Sequence, residues 1–423
     1  MILLYRVLTY FLYPFLFIFL YYRVLLKKED PKRFKEKILA SHFNIKKNDN
    51  LKLIWFHAAS VGELRSIIPI ISQIDNKNYE ILITTVTISS SNLAKKELEE
   101  FNNIHHRFLP FDLDFLIKKF VTLWKPDKIF LVDSEIWPNL ILIAHQKKIP
   151  IALINARLTL KSFNRWLLFR KTAQKIFSKL ELCLCSNKET KIFLENLKVK
   201  KVKYVGNLKF ISNKNQNKEF SNLNAQKLLK SRFWVAASIH KEEDVFCLNT
   251  HIILKKKFKD IITIIAPRHI ERCHKIKLLS EKFNLNTQVL NANSEILDGK
   301  EIIIINSFGT LHNFFLYAKS VFIGKSIIRR LKEDGGQNPI DAARLNCKVY
   351  HGPYVSNFDE IYEILKNNKA SSKIENVDEL SENLINDLIE SKKTNNKNNS
   401  YLETLEKNIS FNTKKIIEEF LHD

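Results

Sequence analysis

Four segments have residue types and spacings suited to proton transfer or anion binding. In HAASVGEL, residues 57–64, two alanines leave open space after an apolar run, and Ser60 stands three residues before Glu63. That spacing is a capping box at a helix start. It equally describes a carboxylate at a strand end, placed to act as general base toward a hydroxyl. The readings compete, because a glutamate folded back on its own cap is less free to take a proton. DSEIWPN, residues 133–139, sets Asp133 and Glu135 after another apolar run, with Pro138 suited to a first helical turn. In APRHIER, residues 266–272, Arg268, His269 and Arg272 follow a third run, where basic groups suit a phosphate. GGQNPIDAA, residues 335–343, reads as a helix start with Asn338 as N-cap, Pro339 at the first helical position and Asp341 at the third. Its outward NH groups form an anion or ribose seat.

Other spacings are less productive. Asp112-Leu-Asp114 has the form of a D-x-D metal motif, but Asp112 is more simply the cap of the helix after Pro110. Gly324-Lys325-Ser326 mimics the end of a Walker A loop, yet Lys319 stands where that motif requires glycine. No G-x-S-x-G elbow occurs. The 5 cysteines, Cys183, Cys185, Cys247, Cys273 and Cys347, lack zinc or disulfide spacing, so no metal is expected and the catalytic part reads as reduced and cytoplasmic.

These groups need strands to carry them. After residue 50, β-rich runs alternate with amphipathic stretches: LKLIWFH, YEILITT, DKIFLVD and PIALIN, then a second series from RFWVAAS through DIITIIAP, EIIIIN, SVFIG and KVYHGP. This βαβα order predicts an α/β protein with parallel sheets covered by helices on both faces. Only 8 glycines occur in 423 residues, and most follow strands of the second series, where backbone NH groups can approach an anion. The second half is therefore the expected nucleotide binder. The boundaries expected are an anchor at 1–28, a first domain at 29–211, a second at 212–400 and a terminal helical segment at 401–423, able to pack back on the first domain.

The chain opens with an apolar stretch from Ile2 to Leu26, interrupted only by Arg6 and Arg23 and followed by Lys27, Lys28, Lys32 and Arg33. It reads as an uncleaved anchor with its basic flank in the cytoplasm. Whether it spans the bilayer or lies in the interface is open at this stage. Lys plus Arg exceed Asp plus Glu by 68 − 45 = 23. The excess suits phosphate-bearing partners, but the lysines are spread along the chain, whereas nucleic-acid binding calls for a basic stripe.

Taken in order, HAASVGE, LPFD, SEIWPN, NARL, VGNLKF, AASIH, APRH, SFGTLHNFFLYA, FIGKS, GGQNPIDAA and HGPYVSNF resemble the 3-deoxy-D-manno-octulosonic acid (Kdo) transferases of lipopolysaccharide synthesis. The resemblance runs over essentially the whole chain, anchor included. It implies a GT-B architecture, two Rossmann-like domains facing a cleft, and Kdo transfer from CMP-Kdo to lipid IVA with inversion at the bacterial inner membrane. No cofactor or metal is implied.

By motif, the resemblance makes Glu63 the proton acceptor, with Asp133 and Lys209 supporting the transition state and Glu135 beside them. CMP would be held by Pro267 and Arg268, by Phe308, Gly309 and Thr310, and by Asn338, Pro339, Ile340 and Asp341. The family's first carboxylate in E-x-E-L-W-P-N is Asp133 here. Its M-G-E is Phe-Gly-Thr, its G-G-S is Gly-Lys-Ser and its N-P-L-E is Asn-Pro-Ile-Asp. These departures leave a second reading, a catalytically altered relative that binds lipid A, and the positive charge leaves a remote third, a basic nucleic-acid-binding protein.

Overall fold

The computed structural model describes residues 1–423 apart from 41–46, 49, 75–77, 99, 100, 102, 212–220, 308, 334, 390–399 and 423. The chain forms two compact units, Met1–Asn213 joined by Leu405–Asp423, and Lys214–Thr404. Unit 1 holds β1 (Lys52–His57), β2 (Tyr79–Thr85), β3 (Ile104–Phe108), β4 (Lys128–Val132), β5 (Ile151–Ala156), β6 (Leu182–Cys185) and β7 (Lys201–Tyr204). Unit 2 holds β8 (Arg232–Ile239), β9 (Ile261–Pro267), β10 (Thr287–Asn291), β11 (Ile302–Asn306), β12 (Ser320–Ile323), β13 (Lys348–His351) and β14 (Ser371–Lys373).

Both sheets are wholly parallel. Their orders are β3-β2-β1-β4-β5-β6-β7 and β10-β11-β9-β8-β12-β13-β14. Strands covered on both faces read as continuous apolar runs, and Leu53, Ile54, Trp55 and Phe56 of β1 and Val235, Ala236 and Ala237 of β8 are accordingly buried. In each unit the chain leaves the first strand to one side and later returns to its other side. The switch points, where a crevice opens beyond the strand ends, are β1/β4 in unit 1 and β8/β12 in unit 2.

Two helix starts differ from expectation. Asp112 does not cap the helix Asp114–Trp124, whose N-cap is Leu113. Its carboxylate accepts instead from the backbone NH groups of Asn139 and Leu140, each at 2.9 Å. Pro138 supplies no NH there, so a carboxylate from another loop satisfies the orphan donors of helix Pro138–Gln146. At the second, helix Ile340–Arg344 has Pro339 rather than Asn338 as its N-cap. Asn338 Oδ1 accepts from Ile340 NH at 3.1 Å, a local turn that precedes the helix.

The C-terminal helix Ser400–His422 brings its last residues to unit 1: Phe420 packs edge-on to Phe130 of β4 with ring centroids 5.5 Å apart. All 5 cysteines are buried.

Gly324 ends β12 where a methyl would sit 2.6 Å from Ile239 Cα and 2.8 Å from the Ser238 carbonyl, both backbone. Gly62, in the first turn of a helix, has nothing nearer than Ser60 Oγ at 4.0 Å. Gly324→Ala is therefore expected to cost about 2 kcal/mol or more by forcing β8 from β12, while Gly62→Ala gains a few tenths to about 1 kcal/mol. Urea titration of the two variants checks both signs.

Candidate active site

At the unit 1 switch point, Ser60 caps helix Val61–Ile71 by accepting from Glu63 NH. Glu63 folds back: Oε1 accepts from the Ser60 hydroxyl at 2.8 Å and Oε2 from Ala59 NH at 2.7 Å. The expected capping box forms in a shifted version, with Glu63 accepting from Ala59 NH rather than from Ser60 NH, and the carboxylate is not taken out of use. A carboxylate offers about four lone-pair sites, and these two bonds occupy only one on each oxygen. Burial, then the charges of Asp133 and Glu135, raise its pKa from an ordinary 4.5 to about 7, against the lowering effect of the Ser60 and Ala59 bonds.

The neighbours come from the ends of β4 and β5. Asp133 turns the chain out of β4 in the left-handed region, φ 55°, and Asn155 does the same in β5, φ 51°. Aspartate and asparagine tolerate that conformation better than other non-glycine residues. Lys209 Nζ reaches Asp133 Oδ2 at 2.9 Å, and the Asn155 amide donates to Asp133 Oδ1. Asn155 Oδ1 in turn accepts from Leu208 NH at 2.8 Å, so one side chain sets both partners of the ion pair.

Glu135 Oε2 accepts from Trp137 Nε1 at 2.8 Å and lies 3.2 Å from His57 Nε2. His57 is fully buried, with Nδ1 2.9 Å from Thr84 Oγ1, which accepts from Trp55 Nε1 at 2.8 Å. Nδ1 also lies 3.1 Å from the Thr84 carbonyl, so the imidazole bridges Thr84 and Glu135. Trp55, Thr84 and His57 thus form a connected polar path that ends at Glu135. Of the residues expected in this unit, Glu63, Asp133, Glu135 and Lys209 come together. His57, Asn155 and Trp137 complete the site and lie inside the motifs HAASVGE, NARL and SEIWPN, which carry no mark of their individual roles.

Unit 2 gathers its expected residues along the carboxyl edge of its sheet. Pro267 ends β9, and Arg268 follows with its NH bonded to the Ile239 carbonyl at 3.0 Å. Gly309, φ 77°, and Thr310 follow β11, with Thr310 Oγ1 2.7 Å from Ser307 Oγ. Phe308 lies outside the described residues. Gly336 NH donates to the Lys325 carbonyl at 2.6 Å, placing the loop of Asn338, Pro339, Ile340 and Asp341 beside β12. Burial, with Lys325, His269, Arg268 and Arg272 around it, pulls the His240 pKa down to about 4. Of these neighbours Arg272 is paired with Asp244.

The FIGKS turn itself is occupied. Glu243, fully buried, accepts from the NH groups of Lys325 at 2.7 Å, Ser326 at 3.0 Å and Ile327 at 3.4 Å, and from His240 NH at 2.8 Å. An internal carboxylate fills the seat that a phosphate takes in a Walker A loop. Asp112 and Asp114 do not share a site: Asp112 accepts from Tyr5, Asn139 and Leu140, whereas Asp114 pairs with Arg6 at 2.8 Å and Lys118 at 2.6 Å.

The family model for 3-deoxy-D-manno-octulosonic-acid transferase (kdotransferase) matches residues 32–212. A 3-deoxy-D-manno-octulosonic acid transferase of Rickettsia typhi is 30% identical over 470 residues, covering 100% of this chain and 98% of that protein. A probable mitochondrial 3-deoxy-D-manno-octulosonic acid transferase of Arabidopsis thaliana is 30% identical over 375 residues, covering 86% of this chain and 82% of that protein. Among solved structures, a UDP-GlcNAc 2-epimerase from Neisseria meningitidis bound to UDP-GlcNAc aligns with a TM-score of 0.55 at 14% identity, covering 88% of this chain and 99% of that one. A glycosyltransferase from Rickettsia africae also gives 0.55 at 14% identity, with the same coverage. At such identity the structural likeness speaks for the fold alone.

Glu63 binds its proton more tightly folded than unfolded. Between about pH 4.5 and 7 the native state holds the extra proton, so this group's contribution to stability falls as pH rises and is constant above pH 7. Glu63→Gln removes that loss. Relative to wild type, the variant should gain stability across this window by up to about 3 kcal/mol, read from denaturation midpoints at pH 4.5, 6 and 8.

Proposed function

The chain belongs to the Kdo transferases, glycosyltransferases of lipopolysaccharide biosynthesis with a GT-B fold, and on that premise we propose that it transfers Kdo from CMP-Kdo to lipid IVA with inversion, releasing CMP. The observation that carries the reading is Glu63: a half-buried carboxylate at the β1/β4 switch point, with a pKa of about 7 and an acceptor lone pair left on each oxygen.

In this mechanism Glu63 takes the proton of the acceptor hydroxyl on the lipid A disaccharide. The hydroxyl oxygen forms a bond to the anomeric carbon of Kdo, and the bond from that carbon to the phosphate oxygen breaks, its electron pair leaving with CMP. A base whose pKa lies near the working pH combines an available lone pair with useful driving force. Asp133 holds Lys209 in place as a positive charge for the developing transition state, and Glu135, fixed by His57 and Trp137, adds to Asp133 a second negative charge that keeps the Glu63 proton affinity high. In unit 2, Pro267, Arg268, Gly309, Thr310 and the loop Asn338–Asp341 hold CMP, and Phe308 belongs to the same segment by motif. Arg268 and its basic neighbours balance the charge that collects on the leaving phosphate. With cations of the chain in that role, the reaction proceeds without a metal or other cofactor. The enzyme works at the cytoplasmic face of the bacterial inner membrane, where the anionic leaflet attracts its basic surface and presents lipid IVA. Nucleic acid is not a partner.

The test is product mass after incubation with lipid IVA and freshly generated CMP-Kdo in EDTA. Wild type should give Kdo-bearing product, and Glu63→Ala should lower kcat/KM by on the order of 10²–10⁴. Lack of product from wild type, in EDTA and with added magnesium alike, would overturn the reading. The same assay across pH should show log kcat/KM rising with unit slope to a plateau above about pH 7, the limb of a base that must be deprotonated. Asp133→Asn and Lys209→Met should each lower kcat, and the double variant should fall well short of the product of the two losses, because the two groups act as one pair.

A further inference from the structure

The N-terminal helix Ile2–Leu25 is inside out with respect to its own domain. Its buried and half-buried positions recur at Ile2, Arg6, Thr9, Tyr13, Leu16, Leu20 and Arg23, one stripe along the whole helix. The side chains with polar groups lie on or next to that stripe and bind unit 1. Tyr5 donates to Asp112 at 2.9 Å, and Arg6 bonds Asn139 at 3.0 Å and Asp114 at 2.8 Å. Tyr13 donates to the Ile38 carbonyl at 2.8 Å, and Arg23 pairs with Glu29 at 2.9 Å. The outward face is apolar instead, with Leu4, Phe11, Ile18 and Leu25, one position every seven residues, 52%, 72%, 69% and 65% exposed. Apolar surface on this scale is not left to water.

The attachments decide how lipid covers it. From Tyr5 to Arg23 the helix runs about 27 Å at 1.5 Å per residue, close to the roughly 30 Å of a bilayer's hydrocarbon core. A helix docked this way and crossing the core would carry Asp112, Asp114, Asn139 and Glu29 into hydrocarbon, at several kcal/mol for each group. Lying along the surface, it loses none of these bonds. Tyr10, Tyr21 and Tyr22 are exposed on the helix, and Lys27, Lys28, Lys32 and Lys35 are exposed just beyond it, the composition of an interfacial, anionic-lipid-binding segment.

We infer that this helix does not cross the bilayer but lies in the plane of one anionic leaflet, its polar edge clamped to unit 1 and its apolar face in the acyl boundary. The inference deepens the membrane location proposed above and rests on it for the choice of lipid, but the experiment reads depth rather than turnover. A protein without transferase activity can still satisfy it, and an active enzyme with a spanning helix would overturn this inference alone.

Because the 5 native cysteines are buried, single cysteines at Leu4, Phe11, Ile18 and Leu25 of the full chain can carry spin labels. In vesicles of phosphatidylethanolamine and phosphatidylglycerol, power saturation with oxygen and a nickel chelate gives the depth of each. The expected result is one depth for all four, roughly 5–10 Å into the headgroup and acyl boundary, with the Leu4 label still reached by chelate added outside. Depth that peaks at Phe11 and Ile18, with the Leu4 label shielded from external chelate, would show a spanning helix. Labels that are dry but broadened by one another would show that a second copy covers the face. Either result overturns the inference. Phe11→Asp with Ile18→Asp should reduce vesicle binding at least tenfold and leave the melting midpoint of the lipid-free protein unchanged.

Discussion

Parallel strands that depart from one central strand to opposite sides cannot close the gap at their carboxyl ends, and each unit is organised around what fills it. In unit 1 the gap between β1 and β4 holds Glu63, with the charges of Asp133 and Glu135 acting on it and Lys209 paired to Asp133. In unit 2 the corresponding gap between β8 and β12 holds Glu243. The two solutions are different uses of a carboxylate. Glu243 accepts four backbone NH bonds and is spent on holding the turn together. Burial raises the proton affinity of both, and Glu63, which accepts two bonds, has the charges of Asp133 and Glu135 raising it further.

On the proposed mechanism the cap and the base are one arrangement. A glutamate left free at a crevice would sample many rotamers and stay hydrated, and its pKa would remain low. Folding it onto Ser60 and Ala59 fixes its position and dries it, while the bonds' own tendency to stabilise the anion is outweighed by burial and by Asp133 and Glu135. Positioning of this kind is what proton transfer requires, since the acceptor hydroxyl has to meet the same oxygen in the same place at every turnover.

The central strands could be read in the sequence because both faces are buried, so their residues form unbroken apolar runs. The strands that escaped notice are the four sheet edges, β3, β7, β10 and β14, together with the four-residue β6. Edge strands face solvent and carry polar residues: β3 reads IHHRF and β7 reads KVKY, three of whose four residues are exposed. Asp112 was hidden for another reason. It lies next to one helix in the chain but caps a different one 27 residues on, and no local spacing records a loop that folds over its neighbour. The ordered motifs located Glu63, Asp133, Glu135 and Lys209, but Asn155, which serves Asp133 and Leu208 at once, becomes visible only when β4 and β5 lie side by side. Glu243 was likewise concealed, because its partners stand about 80 residues downstream.

The return of the last helix to unit 1 makes unit 2 an insertion rather than an appendage. Residues 214–404 interrupt a unit that needs residues 405–423, with Ile409 packed against Gly206 and Phe420 against Phe130. The part of the chain made first is thus the last to be completed. During synthesis unit 2 can close on itself while unit 1 still lacks a buried flank of its sheet. A ribosome that stalls near the end, or a protease that trims the C-terminus, would spare unit 2 and leave an uncovered apolar face on unit 1, which carries Glu63.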